Sequence, residues 1–291
     1  MKDFLFLNYS YVPNSTFIFK SFENLGYSCD FVDENSIYNY IPSHEYKIII
    51  VYLHDDDMIW HINKIINSYC KNSFLIQHDD TDSEHVQKWC ERKPDLIMQR
   101  ELTKDTINVY GSPIFPFHFP IHSKYNKIYQ EKIYDVCFLA NRTNPRREPF
   151  INHVEYLMNN DLKFLNWKVN ITWREQTNNY DEVINNSKIG LHYYGNSYDS
   201  WRIWELASTK TAIIMPKLKL KSCDENNMHF DKYCAIKDDF SDLKEKILHL
   251  LTNDRYKNLA DEAYIDYNLN HTPEKVFQNY FDIIKKQSKL I

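Results

Sequence analysis

Glycine is scarce, with only four in 291 residues. No Gly-rich loop follows the first apolar run; Asn8-Tyr9-Ser10-Tyr11 stands there instead, so close backbone approach to a ligand is not expected in the first half. The six cysteines, Cys29, Cys70, Cys90, Cys137, Cys223 and Cys234, form no C-x-x-C pair, which argues against a zinc ribbon or a disulfide framework. Reduced thiols in a cytoplasmic protein are the simpler reading. Long hydrophobic runs are missing too. The longest, such as residues 48–53, fall far short of the ~20 residues a membrane span needs. Residues 4–7 read as a strand rather than as part of a leader. There is no basic surplus: the formal net charge is −5, with −7 on residues 1–120 and +2 on residues 121–291. The acidic first half argues against a sequence-independent grip on nucleic-acid phosphates, while a small phosphorylated ligand remains compatible with the second. With 43% hydrophobic and 26% charged residues the chain has the composition of a folded protein.

Strand-like and helix-like segments alternate. Apolar runs at 3–8, 29–32, 46–53 (YKIIIVYL), 73–77 and 95–98 predict strands, with helices expected over 15–25, 58–69 and 83–90. That alternation means βαβ crossovers and a parallel sheet. Residues 111–120 (GSPIFPFHFP), with three prolines and a glycine, read as an ordered connector. The pattern then restarts: strands at 134–140, 163–169, 187–193 and 211–215, and helices at 180–187, 200–208 and 243–251. Asn144 is placed to cap a helix with Pro145 at its first position, and Thr272, ahead of Pro273 and Glu274, to open the closing helix. The expectation is an α/β protein of two units joined by a proline-rich hinge, with a ligand in the cleft between them.

Residues 189–205 (IGLHYYGNSYDSWRIWE) carry the densest chemistry: a strand, a polar loop, then a helix with Arg202 and Glu205 in its first turns. A helix N-terminus suits an anion such as a diphosphate, Arg202 adds a charge-assisted fork, and Glu205 can accept from vicinal hydroxyls. An amphipathic helix with an internal Arg202–Glu205 pair explains the same residues equally well.

From Tyr180 the chain reads YDEVINNSKIGLHYYGNSYDSWRIWELASTKTAIIMP, then DDFSDLKEKILHLLTNDRYKNLADEAY and NHTPEKVFQNYFDII. This resembles the C-terminal half of GT-B glycosyltransferases, most closely the spore-maturation-protein-like group with a glycosyl transferases group 1 domain. The matching positions are Ser200, Arg202 and Glu205, then Ala207-Ser208, Asp242-Leu243 and His271-Thr272. YDVCFLANRTNPRRE is similar to that family's domain-opening strand and phosphate-side loop, so the resemblance spans residues 130–285. It departs at Ser208-Thr209-Lys210, where the family usually has a glycine.

The resemblance implies a GT-B fold: two Rossmann-like domains facing a cleft, 1–118 on the acceptor side and 119–271 on the donor side, with a last helix, 272–291, crossing back. It implies transfer of a sugar from a nucleotide-diphosphate-sugar to an acceptor hydroxyl, with no required metal or other cofactor. Arg142, Tyr194, Asn196, Ser200, Arg202 and Glu205 are the implied donor-binding residues. Arg146 and Arg147 stand in the first turn of a helix, unfavourable for cations, which leaves an anionic partner open, though solvated surface is the better expectation.

Inversion at the sugar needs a base for the acceptor hydroxyl. His54-Asp55-Asp56-Asp57 and His78-Asp79-Asp80 both follow strands, at the carboxyl end of the expected sheet. Asp79 and His78 lead as catalytic candidates, followed by Asp55. Asp80-Thr81-Asp82 has the D-x-D spacing of metal-dependent GT-A transferases, but the second unit with its own R-x-x-E helix argues for GT-B. Two rivals remain: a metal-dependent hydrolase using His54, Asp55, His78 and Asp79, and a non-catalytic nucleotide-sugar-binding scaffold. The acidic first half makes a glycan or small-molecule acceptor a better expectation than a nucleic acid, and a modified DNA base stays open.

Overall fold

The computed structural model describes residues 1–8, 13–53, 58–79, 85–100, 102–117, 131–140, 144–170, 179–195, 200–218, 220 and 231–291. The chain divides into two compact units: Met1–Pro120 with Leu220–Met228 and Glu274–Ile291, and Ile121–Lys219 with His229–Pro273.

The first unit is built on β1 (Lys2–Asn8), β2 (Cys29–Val32), β3 (Tyr46–Leu53), β4 (Phe74–Asp79), β5 (Leu96–Gln99) and β6 (Ile114–Pro116), all parallel, in the order β2-β1-β3-β4-β5-β6. Helices α1 (Pro13–Asn24) and α2 (Ile59–Tyr69) cover it. Successive strand side chains point to opposite faces. Phe4, Phe6, Ile48, Ile50 and Ile76 therefore pack with Ile18 and Phe22, whereas Leu5, Leu7, Ile49, Val51 and Leu75 pack with Ile62, Ile65 and Ile66.

Two expectations change here. Residues 85–90 are irregular rather than helical. Their backbone is satisfied from elsewhere: Asn63 Nδ2 donates to the Trp89 carbonyl, and the Tyr110 hydroxyl both accepts from the Cys90 N–H and bonds its carbonyl. The proline-rich segment is not only a connector. It supplies β6, paired Ile97↔Ile114 to Gln99↔Pro116 at the sheet edge, where a proline's missing N–H is tolerated.

The second unit repeats the scheme with β7 (Tyr134–Leu139), α3 (Glu148–Asn159), β8 (Trp167–Asn170), α4 (Tyr180–Asn185), β9 (Ser187–Leu191), α5 (Trp201–Ser208), β10 (Ala212–Pro216), β11 (Cys234–Ile236), α6 (Leu243–Leu251) and α7 (Tyr256–Asp266). Its parallel sheet has the order β11-β10-β9-β7-β8. Phe138, Ile189, Leu191 and Ile214 face Phe150, Val154, Leu243 and Ile247; Cys137, Leu139, Ile213 and Met215 face Tyr180, Ile203, Leu206 and Ala263.

A five-residue π-helical turn, Tyr267–His271, continues α7, and the chain then re-enters the first unit as α8 (Pro273–Ser288). There Val276, Phe277, Tyr280, Phe281 and Ile284 close the layer begun by Phe4, Phe6 and Phe22, with Phe22 edge-on to Phe277 at 5.2 Å. In each unit the first strand lies between the second and the third. Strand order thus reverses between β1 and β3 and between β7 and β9, and open α/β sheets bind ligands at the carboxyl ends of such pairs.

Candidate functional site

The second reversal is the better furnished. Gly190 on β9 has no room for a side chain: a Cβ would lie 2.3 Å from Leu206 Cδ2. Its absence lets α5 settle directly on the strand. The chain stays extended past β9, with the His192 N–H donating to the Ile214 carbonyl at 2.9 Å. Tyr193 then stacks on Phe150, centroids 4.8 Å apart. Helix α5 opens at Ser200, in extended conformation, whose Oγ accepts from the Arg202 N–H at 3.4 Å. The remaining first-turn N–H groups and the positive end of the helix dipole sit at this strand end.

Two guanidinium groups join them. Arg202 is half-buried; its Nε donates to the Tyr180 oxygen at 3.4 Å, and the Tyr180 hydroxyl donates to Glu205 Oε2 at 2.5 Å. Burial works against the Arg202 cation, but Tyr180 and Glu205 outweigh it, so its pKa is raised. Among the described residues Arg202 makes no ion pair. Arg147 ends the turn Pro145–Arg147, which Asn144 caps by accepting from the Arg146 N–H at 2.8 Å. Its Nε donates to the Tyr194 carbonyl at 3.0 Å, and its Nη2 lies 2.4 Å from where a Cβ on residue 195 would be, so Gly195 makes the approach possible. Burial first, and the neighbouring charge of Arg202 second, push Arg147 down to about 10. Two cations that disfavour each other at a helix N-terminus form a place for an anion.

Of the residues expected to bind the donor, Ser200, Arg202 and Glu205 come together around the start of α5. Tyr194 joins through its carbonyl, while its hydroxyl donates to the Lys217 carbonyl at 2.5 Å. Arg142 and Asn196 lie outside the described residues, as does Asp55. Glu205 is buried and accepts from the Tyr180 hydroxyl. Arg147 corrects the reading of that position as solvated surface. The sequence signal for it was a glycine, Gly195, placed in a chain that has only four. Where the family glycine is missing, Lys210 itself adopts the left-handed conformation (φ 53°), held by Asp261 at 2.9 Å and the Tyr264 ring.

In the first unit, His78 and Asp79 are neighbours on β4 and so face opposite sides of the sheet. His78 is fully buried among aromatic rings, 4.3 Å from Tyr52 and 4.2 Å from Phe117. Burial, followed by the charge of Arg100, pushes its imidazole down to about 3. The ring has no exposed surface in this structure, and neither does Asp79; its aromatic packing makes His78 the less suited of the two to meet an acceptor. Asp79 stands at the carboxyl end of β4, in register with Leu53 and Gln99, and its Oδ2 accepts from the Gln87 N–H at 3.0 Å. No group of three or more His, Cys, Asp or Glu side chains converges as a metal site among the described residues; His54 and residues 80–82 are outside them.

No protein-family model matches the chain, and no curated protein matches it in sequence. Solved structures do. An alpha-glucosyltransferase in complex with UDP and a 13-mer DNA containing a central A:G mismatch superposes with a TM-score of 0.60 at 12% identity, over 98% of this chain and 100% of that one. Anabaena HepE in complex with UDP and glucose gives 0.59 at 10% identity, over 98% and 100%. T4 phage beta-glucosyltransferase gives 0.52 at 12% identity, over the whole of both chains (100% each). The fold is that of the GT-B glycosyltransferases, two parallel-sheet α/β domains. The finer likeness to the spore-maturation-protein-like group has no matching family model behind it.

Proposed function

We propose that the protein is a glycosyltransferase that takes a sugar from a nucleoside-diphosphate donor held in the second unit. The observation that carries this reading is the pair of guanidinium groups, Arg147 and Arg202, brought together at the start of α5 and the end of β9. They hold the donor's diphosphate and stabilise it as it departs, without a required metal. Glu205 and Tyr180 keep Arg202 in place, and Arg142 and Asn196 are the further donor-binding residues. In the first unit Asp79 serves as the base for the acceptor hydroxyl, with Asp55 as the next candidate. A glycan or small molecule is the acceptor favoured by the net charge of −7 on residues 1–120.

UDP and UDP-glucose are the first probes, since the superposed structures hold them. Calorimetric titration should show binding that survives EDTA and weakens about 10–100-fold in Arg147→Ala and in Arg202→Ala, as expected for a charge-assisted hydrogen bond removed. Asp79→Asn should bind UDP like the wild type yet lose transfer. Binding indifferent to both arginines would refute the donor site.

A further inference from the structure

His192 has no account in the fold. It follows β9 directly and is fully buried, yet neither Nδ1 nor Nε2 has a hydrogen-bond partner among the described residues. Alternation puts it on the face of Gly190, the side covered by α5. Continuing the strand register from Cys137↔Gly190 and Ile214↔Leu191 places it between Leu139 and Met215, whose side chains are both apolar. A buried polar group without a partner is costly, and leucine or phenylalanine would serve a purely structural position better. What does lie near the ring is charge: after burial, Arg202 and then Arg147 are the groups that hold its pKa well below the ordinary value. The imidazole is therefore neutral and presents one N–H donor beside two cations, at the carboxyl end of the strand where the order reverses.

We infer that His192 is a third ligand of the donor's diphosphate, giving a ring N–H hydrogen bond to a phosphoryl oxygen between Arg147 and Arg202. This rests on the donor-site reading above. The arginines supply attraction that salt screens; the histidine supplies a short-range, uncharged donor that fixes where the phosphate stops. The orphaned ring is then a preformed half of a contact, satisfied only when the nucleotide is bound.

The test compares wild type, Arg202→Ala, His192→Leu and His192→Asn by calorimetric titration with UDP and by thermal unfolding without ligand. His192→Leu should bind UDP about 10–100-fold more weakly while its ligand-free melting temperature stays level or rises, because an orphaned polar group has been replaced by an apolar one. His192→Asn, which keeps an N–H donor, should retain part of the affinity. UDP should also move the ring 15N resonances of His192, assigned by their loss in His192→Asn. UDP affinity in His192→Leu within twofold of wild type, with Arg202→Ala having lost it, overturns the inference and leaves the donor site standing. Should His192→Leu not fold, a ring resonance indifferent to UDP overturns it equally. Failure of the wild type to bind UDP or UDP-glucose removes the donor site itself, and the inference with it.

Discussion

Arg202 and Arg147 illustrate how differently two residues of one site are written in a chain. Arg202 is legible in part because Ser200 caps its helix and Glu205 is one turn away, although the Tyr180 hydroxyl that bridges the two lies 22 residues earlier. Arg147 depends on a carbonyl 47 residues later, and no local pattern carries that information. Asp79 and His78 show a related limit. Sequence placed both at a strand end, but only the pleat decides which of the two neighbours enters the aromatic layer and which meets the Gln87 backbone; both end up without exposed surface. His78 yields a pH prediction. Its pKa falls from 6.5 to about 3 on folding, so between those values the unfolded chain binds the extra proton. Its contribution is therefore complete above the unfolded value and declines as pH drops toward the folded one, by about 2 kcal/mol at pH 5. His192 acts with the same sign. Melting temperatures followed from pH 7.5 down to 4.5 should fall for the wild type and fall less steeply for His78→Phe; parallel curves would contradict the assignment.

At the scale of elements, the parallel strands were readable as short apolar runs, and β3 and α6 have the expected bounds. The elements that sequence did not reveal are those with little side-chain signal. Strand β11 has three residues and only Ile236 fully buried, and α7 packs through Tyr256, Ala260 and Ala263, a stripe of mostly small residues that a hydrophobic period barely registers. Strand β6 was hidden by its prolines. The contact that sets the site is also between elements: β9 and α5 meet where Gly190 leaves space for Leu206. Gly190→Ala should overpack this contact and cost about 1–3 kcal/mol, read as a lower denaturant midpoint at unchanged slope. Because α5 would lift from the strand, UDP binding should weaken as well. A variant as stable as the wild type would show that Leu206 moves aside freely.

For the whole molecule, the units share one plan, which is why the alternation of apolar runs restarting after residue 130 pointed to two α/β units. The membership of α8 was not readable from its own residues, since an amphipathic helix does not state which sheet it covers. Its apolar face belongs to the first unit, where Phe277 is buried against Phe17, Phe22 and Phe281. Phe277→Ala should cost about 3–5 kcal/mol, and hydrogen exchange should quicken in β1 and β3 while β7 and β9 stay as protected as before. Equal loosening of both sheets would argue against separate cores.

The return of α8 also orders events in time. As the chain leaves the ribosome, β1 to β6 appear first, yet the layer over Phe4, Phe6 and Phe22 stays open until Phe277, Tyr280 and Phe281 have been made. The second unit, though synthesised later, has all its segments earlier. Translation thus leaves the first sheet waiting with an uncovered aromatic surface, a natural substrate for holding chaperones, and premature termination near residue 272 yields a chain whose second half can fold and whose first half has no lid to close.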